Sequence, residues 1–137
     1  MKSPQRKLAG QLVYGSVNAR EAAVLEFAKQ LICVEWDFAA DGNGVSPTFG
    51  VKLPADCIVT DCWLDTITPV AGATFQPTAG ATALTAAQTL SSAAVTNPAL
   101  STAAGIKVSS TAELGATLSA APTAGKVRVY VEFMKKP

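Results

Sequence analysis

The sequence has no histidine, and the residues whose types and spacing come nearest to a site are three cysteines, two close acidic pairs and one Asp/Asn/Gly-rich turn. That absence removes the usual general base, the Ser-His-Asp and Cys-His arrangements and most zinc sites. Cys33, Cys57 and Cys62 are an odd number, so at least one stands outside any intrachain disulfide. A reducing, intracellular site of synthesis fits that count. Cys57 and Cys62 are five positions apart on an expected strand. An odd spacing sends them to opposite faces, badly placed to bond each other or share a metal. Cys62 shares a face with Ile58 and Leu64 and reads as a small core residue, whereas Cys33 falls on the polar face of its strand. Glu35/Asp37 and Asp61/Asp65 each share a strand face, as general acid–base pairs do, but a solvated sheet face accounts for them better. Asp41-Gly42-Asn43-Gly44 begins like a calcium loop yet lacks the later ligands and the closing Glu. Nor does a Lys-Ser/Thr follow its glycines, as a phosphate loop requires. It reads as a turn. No catalytic, cofactor-binding or metal site is expected, and an enzyme is the least favoured class.

Two aromatic residues, Trp63 and Tyr130, lie on strand faces shared with charged residues. Exposed aromatics on a sheet serve as interface anchors. The competing account, that the chain's own loops or arm cover them, is equally favoured. The formal net charge of +1 gives no global attraction to nucleic acid. The charges are uneven, with Lys2, Arg6 and Lys7 crowding the start and Lys135 and Lys136 closing the sequence. The first group suggests an arm that touches a partner surface; three charges are few for nucleic-acid binding. No window has the length and apolarity of a membrane-spanning helix, and no continuous apolar run follows the basic start as in a secretory signal. From Thr66 to Ile106 the chain carries no charged residue at all. Long uncharged loops either pack on their own fold or are covered by other subunits, which suggests work inside an assembly.

The elements that position these residues are mostly strands. In LICVEWDF, Ile32, Val34, Trp36 and Phe38 alternate with Cys33, Glu35 and Asp37, a period of two that marks a strand with one buried side. Phe49, Val51 and Leu53 form a second strand, broken at Pro54-Ala55-Asp56. In the third, Ile58, Thr60, Cys62 and Leu64 are expected on the core face, with Val59, Asp61, Trp63 and Asp65 opposite. The last strand alternates Val127, Val129, Val131 and Phe133 with Arg128, Tyr130, Glu132 and Met134. Between Pro69 and Ala121 the candidates are weaker: Ala73–Gln76, Ile106–Ser109 and Glu113–Ser119, punctuated by Pro and Gly, with Leu84 to Val95 a short helix or an Ala-rich loop. Many short strands with regular turn signals favour an antiparallel sandwich or barrel. The expected organisation is an extended arm over residues 1–20 and a β-sandwich over 21–137. Residues 21–30 stay open between helix and strand.

The pattern GVKLPADCIVTDCWLDTITPVAGATF, with PTAGKVRVYVEFM near the end, resembles a group of small virion proteins of tailed bacteriophages. Gly50–Pro54, Cys57–Asp65 and Ala124–Phe133 carry the resemblance. It departs from the group in its N-terminal extension and in two cysteines where aliphatics are usual. The resemblance implies a jelly-roll-like sandwich associated with the phage head, as a capsid decoration or cement protein. The expected partner is then a major capsid protein, bound from the outer face by a homo-oligomer, a trimer being favoured, with the arm reaching neighbouring subunits. Synthesis in the host cytoplasm follows, with no cofactor, nucleic acid or membrane involved. The alternatives are a tail or head–tail connector component and a carbohydrate-binding adhesion sandwich.

Overall fold

Val127, Val129, Val131 and Phe133 cannot all be buried unless a second layer covers one face of their strand. The computed structural model, which describes residues 29–135, supplies that layer. Its strands are β1 (Lys29–Asp37), β2 (Thr48–Leu53), β3 (Cys57–Ala71), β4 (Phe75–Ala79), β5 (Thr82–Ala83), β6 (Val95–Thr96), β7 (Ile106–Val108), β8 (Ala112–Leu118) and β9 (Ala124–Lys135). One sheet runs β1-β9-β3-β6, with β7 also on β3; the other runs β2-β8-β4-β5. All pairings are antiparallel. The steps β1 to β2, β3 to β4 and β8 to β9 each cross from one sheet to the other, the winding of a jelly roll. The proposed arm, residues 1–20, and residues 21–28 of the open segment 21–30 lie outside the described residues; its last two, Lys29 and Gln30, begin β1.

The core holds Trp36, Leu64, Val127, Val129 and Val131 from the first sheet and Leu53, Phe75 and Leu114 from the second, all essentially inaccessible. Trp36 and Phe75 meet across the layers with ring centroids 5.7 Å apart at 51°. Such a tilted pair adds about 0.5–1.5 kcal/mol to its area burial. Gly125 makes this possible: a Cβ there would sit 2.6 Å from Trp36 Cζ3.

The expected faces of the first and last strands hold, save that Phe38 leaves β1 for a single helical turn, α1 (Phe38–Asp41). Asp37 caps it, accepting from the Ala39 amide at 3.0 Å, while Asp41 accepts from the Asp37 amide at 2.8 Å. Gly42, at φ 84°, closes it.

In β3 the expected face is correct only from Cys62 onward. Val59 pairs with Phe133 and Asp61 with Glu132, so Thr60 is an inserted residue, a β-bulge. The insertion reverses which side chains face inward. Cys57 and Val59 are buried ahead of it and Cys62 and Leu64 after it, while Ile58 and Thr60 are only partly covered. Cys57 and Cys62 therefore share the core face, contrary to the even/odd expectation. A straight strand with Cys62 and Leu64 inside would have buried the Thr60 hydroxyl; the bulge buries Val59 in its place. Side chains satisfy the disturbed ladder. Thr60 Oγ1 donates to Glu132 Oε1 at 2.7 Å, and Asp61 Oδ1 accepts from the Cys62 amide at 2.8 Å and from Asn97 Nδ2 at 2.7 Å.

The three weak candidates are all strands, with bounds moved by a few residues. Pro77 lies inside β4, not at a break. Its carbonyl accepts from Leu84 on the side where β5 is only two residues long, so its missing N–H costs the sheet little. Residues 84–94 form a loop and not a helix, and Val95 opens β6. Gln88 exchanges both backbone bonds with Phe75, at 2.8 and 2.9 Å, and then Leu90 and Ala94 accept from Val70 and Thr66 at 2.8 and 3.0 Å. Leu84 and Leu90 are buried beneath it.

Candidate interaction surface

The bulge that turns Cys62 and Leu64 inward turns Trp63 and Asp65 outward. On the adjacent β9, the same alternation presents Arg128, Tyr130 and Glu132. Register then brings the two expected anchors together: Trp63 is the direct partner of Tyr130, and Tyr130 is in turn the partner of Cys33 on β1. β6 sets Val95 opposite Asp65. Leu31, Trp63, Asp65, Val95 and Tyr130 line a shallow depression of about 370 Å³ on the outer face of the first sheet. Leu31 is 59% exposed and Val95 67%, high values for large apolar side chains.

Charges ring this patch. Lys29 pairs with Glu132 at 3.5 Å and Lys126 with Glu35 at 3.2 Å. The acidic pairs thus have structural work: Asp37 caps α1, Glu35 holds Lys126 and Asp61 staples the bulge. The Cys33 side chain beside Tyr130 holds the phenol above its ordinary value, first by hydrogen bonding and then by its charge. All three cysteines are free thiols. Burial, then the neighbouring Asp61, pushes Cys62 up to about 12; burial, then Asp56, raises Cys57 as well. Neither is a thiolate at neutral pH, so neither is a ready nucleophile. Among the described residues no group of three His, Cys, Asp or Glu side chains is placed to hold a metal, and no helix is long and apolar enough to cross a membrane.

Around the patch the uncharged segment is largely surface. Ile67 is 39% exposed, and exposed Ala, Ser and Thr side chains fill the connections from Ala86 to Ala104. A hydroxyl-lined depression of about 330 Å³, including Ser46, Thr48, Thr78 and Thr117, lies over the second sheet.

Sequence alternation placed Trp63 and Tyr130 on outward faces, but only register makes them neighbours. Leu31 and Val95 were not singled out. Leu31 shares the alternation of Cys33 and Glu35 and was legible on that ground; Val95 sits in an Ala-rich stretch with no periodic signal. Lys2, Arg6 and Lys7 lie outside the described residues.

No protein-family model and no curated protein matches the chain. Two solved structures share its architecture. A chain in the "acidic stable" capsid structure of Helicobacter pylori bacteriophage KHP30 aligns with a TM-score of 0.53 and 20% identity, over 78% of this chain and 87% of that one. A chain in the cyanophage Pam1 capsid asymmetric unit aligns with a TM-score of 0.52 and 19% identity, over 78% and 84%. At this identity the likeness defines the fold: a jelly-roll sandwich of a kind present in phage capsids.

Proposed function

We propose that this chain is a structural virion protein that binds the outer face of a phage capsid and stabilises the shell, as a decoration or cement protein. The observation that carries it is the sandwich shared with chains of two phage capsid structures. The surface supports it. Trp63 and Tyr130 stand ready as anchors, and the uncharged loops can approach another subunit without stranding a buried charge. The partner is a major capsid protein, met by a homo-oligomer, a trimer in the favoured arrangement. The basic segment Lys2, Arg6 and Lys7 reaches neighbouring subunits. Binding only the assembled shell stabilises it by mass action, roughly 2.7 kcal/mol per site at a hundredfold excess over Kd. Many weak contacts act in parallel on one particle.

The test compares particles with and without the protein under heat and osmotic shock, with its position read by electron microscopy. Retention of genome should be higher in decorated particles. Equal loss from both removes the cementing role; a location only in tails removes the capsid assignment and favours the tail or connector alternative. One observation favours a second reading, a carbohydrate-binding surface: Trp63 and Tyr130 are cross-strand neighbours beside Asp65, as sugar stacking requires. Saturable glycan binding lost in Trp63→Ala, with no capsid affinity, would establish that reading instead.

A further inference from the structure

The first sheet ends at β1, whose nine residues pair on one side only, with β9, among the described residues. Proteins usually blunt such an edge with Pro, a bulge, a very short strand or several lysines. β1 has none of these: its register with β9 is unbroken over all nine positions, and its one lysine is at the end. The strand is also complementary to itself. Turned antiparallel about Cys33, Lys29 falls opposite Asp37, Leu31 opposite Glu35 and Ile32 opposite Val34. All nine positions are matched, both terminal pairs are of opposite charge and no like charges face each other; the Asp37 amide alone stays with α1, donating to Asp41.

We propose that the open edge of β1 pairs antiparallel with β1 of a second copy of this chain, about a two-fold axis at Cys33. The row across the outer face gives this pairing a second support. Trp63, Tyr130 and Cys33 are successive register partners on β3, β9 and β1. Across the axis the row continues through the partner's own set in reverse order, joining two apolar depressions into one strip. Leu31, largely exposed in a single copy, comes to lie beside the new strand junction. A two-fold contact is isologous and closes at two copies. It does not build a trimer; on a shell it joins copies from neighbouring oligomers. The pairing does not depend on the virion reading, because it is measured in solution without a capsid.

The experiment uses the full chain. Light scattering across a concentration series should show a monomer–dimer equilibrium. Copper–phenanthroline oxidation of the wild-type chain should give one interchain disulfide, Cys33 to Cys33, with Cys57 and Cys62 still free by mass spectrometry. The register is then tested in a Cys33→Ser chain carrying Leu31→Cys and Glu35→Cys, both exposed positions. These two cysteines are about 13 Å apart on one strand, too far to bond within a chain. The expected product is a dimer linked 31 to 35 in both directions. Predominant 31–31 and 35–35 links would overturn the antiparallel register. A chain that stays monomeric at every concentration and yields no ordered cross-link would mean the edge is closed from within, and would overturn the pairing itself.

Discussion

Gly125 and Trp36 are bound to each other by space. A Cβ at 125 would lie 2.6 Å from one ring carbon and 3.1 Å from the next. Gly125→Ala must therefore move the largest side chain of the core, and we expect a loss of about 1–3 kcal/mol, read as a fall in the urea midpoint. Trp36→Phe should rescue part of that loss in the double variant, since the smaller ring frees the contact. Cys62 gives a pH signature. Its thiol is pushed up to about 12 from an ordinary 9.0. Between those values the unfolded chain binds fewer protons than the folded one, so stability falls as pH rises through that window. It is fully present below about 9. A Cys62→Ala chain should show a shallower decline over the same range, compared by urea titration at several pH values. In the native state a thiol reagent at neutral pH should modify Cys33 and spare Cys57 and Cys62, which are buried.

At the scale of elements, the bulge in β3 decides which residues are core and which are surface. Asn97 reaches it from the connection after β6, donating to Asp61 Oδ1 at 2.7 Å and to the Cys62 carbonyl at 3.0 Å. Asn97→Ala should cost about 0.5–1.5 kcal/mol, and a double-mutant cycle with Asp61→Ala should show coupling, because the two share one hydrogen bond. Additive losses would mean the staple is idle. The bulge also marks where sequence reading stops. β9 was legible throughout because its alternation is unbroken from Val127 to Phe133. In β3, Cys57, Ile58 and Val59 are all apolar enough to face inward, so composition cannot place the phase; only the pairing with Glu132 and Phe133 does. Residues 84–96 were illegible for another reason. Their order comes from backbone bonds to distant strands, which leave no period in the side chains.

For the whole molecule, the contrast is between a charged-rim patch on one sheet and an uncharged belt of Ala, Ser and Thr. Lysines at Ala86, Ala93, Ala99 and Ala103, all exposed, should change folding stability by no more than about 0.5 kcal/mol each. On the capsid reading they should weaken shell binding by at least tenfold, about 1.4 kcal/mol, measured as occupancy per particle. Unchanged occupancy would take the belt out of the interface. The belt's lack of charge was plain in the sequence, and so was the outward placing of Trp63 and Tyr130; the meeting of those two with Leu31 and Val95 needed four strands in register. One part of the belt has a mechanical meaning. The stretch from Gln88 to Ala94 is fastened to Phe75 in one sheet and to Val70 and Thr66 in the other by four backbone hydrogen bonds. Drawing the sheets apart would load the bonds at both ends of the stretch. A segment with almost no regular structure and few large side chains is thus the tie rod of the sandwich, and the amides it holds, those of Thr66, Val70, Phe75 and its own Gln88, belong with the slowest-exchanging core.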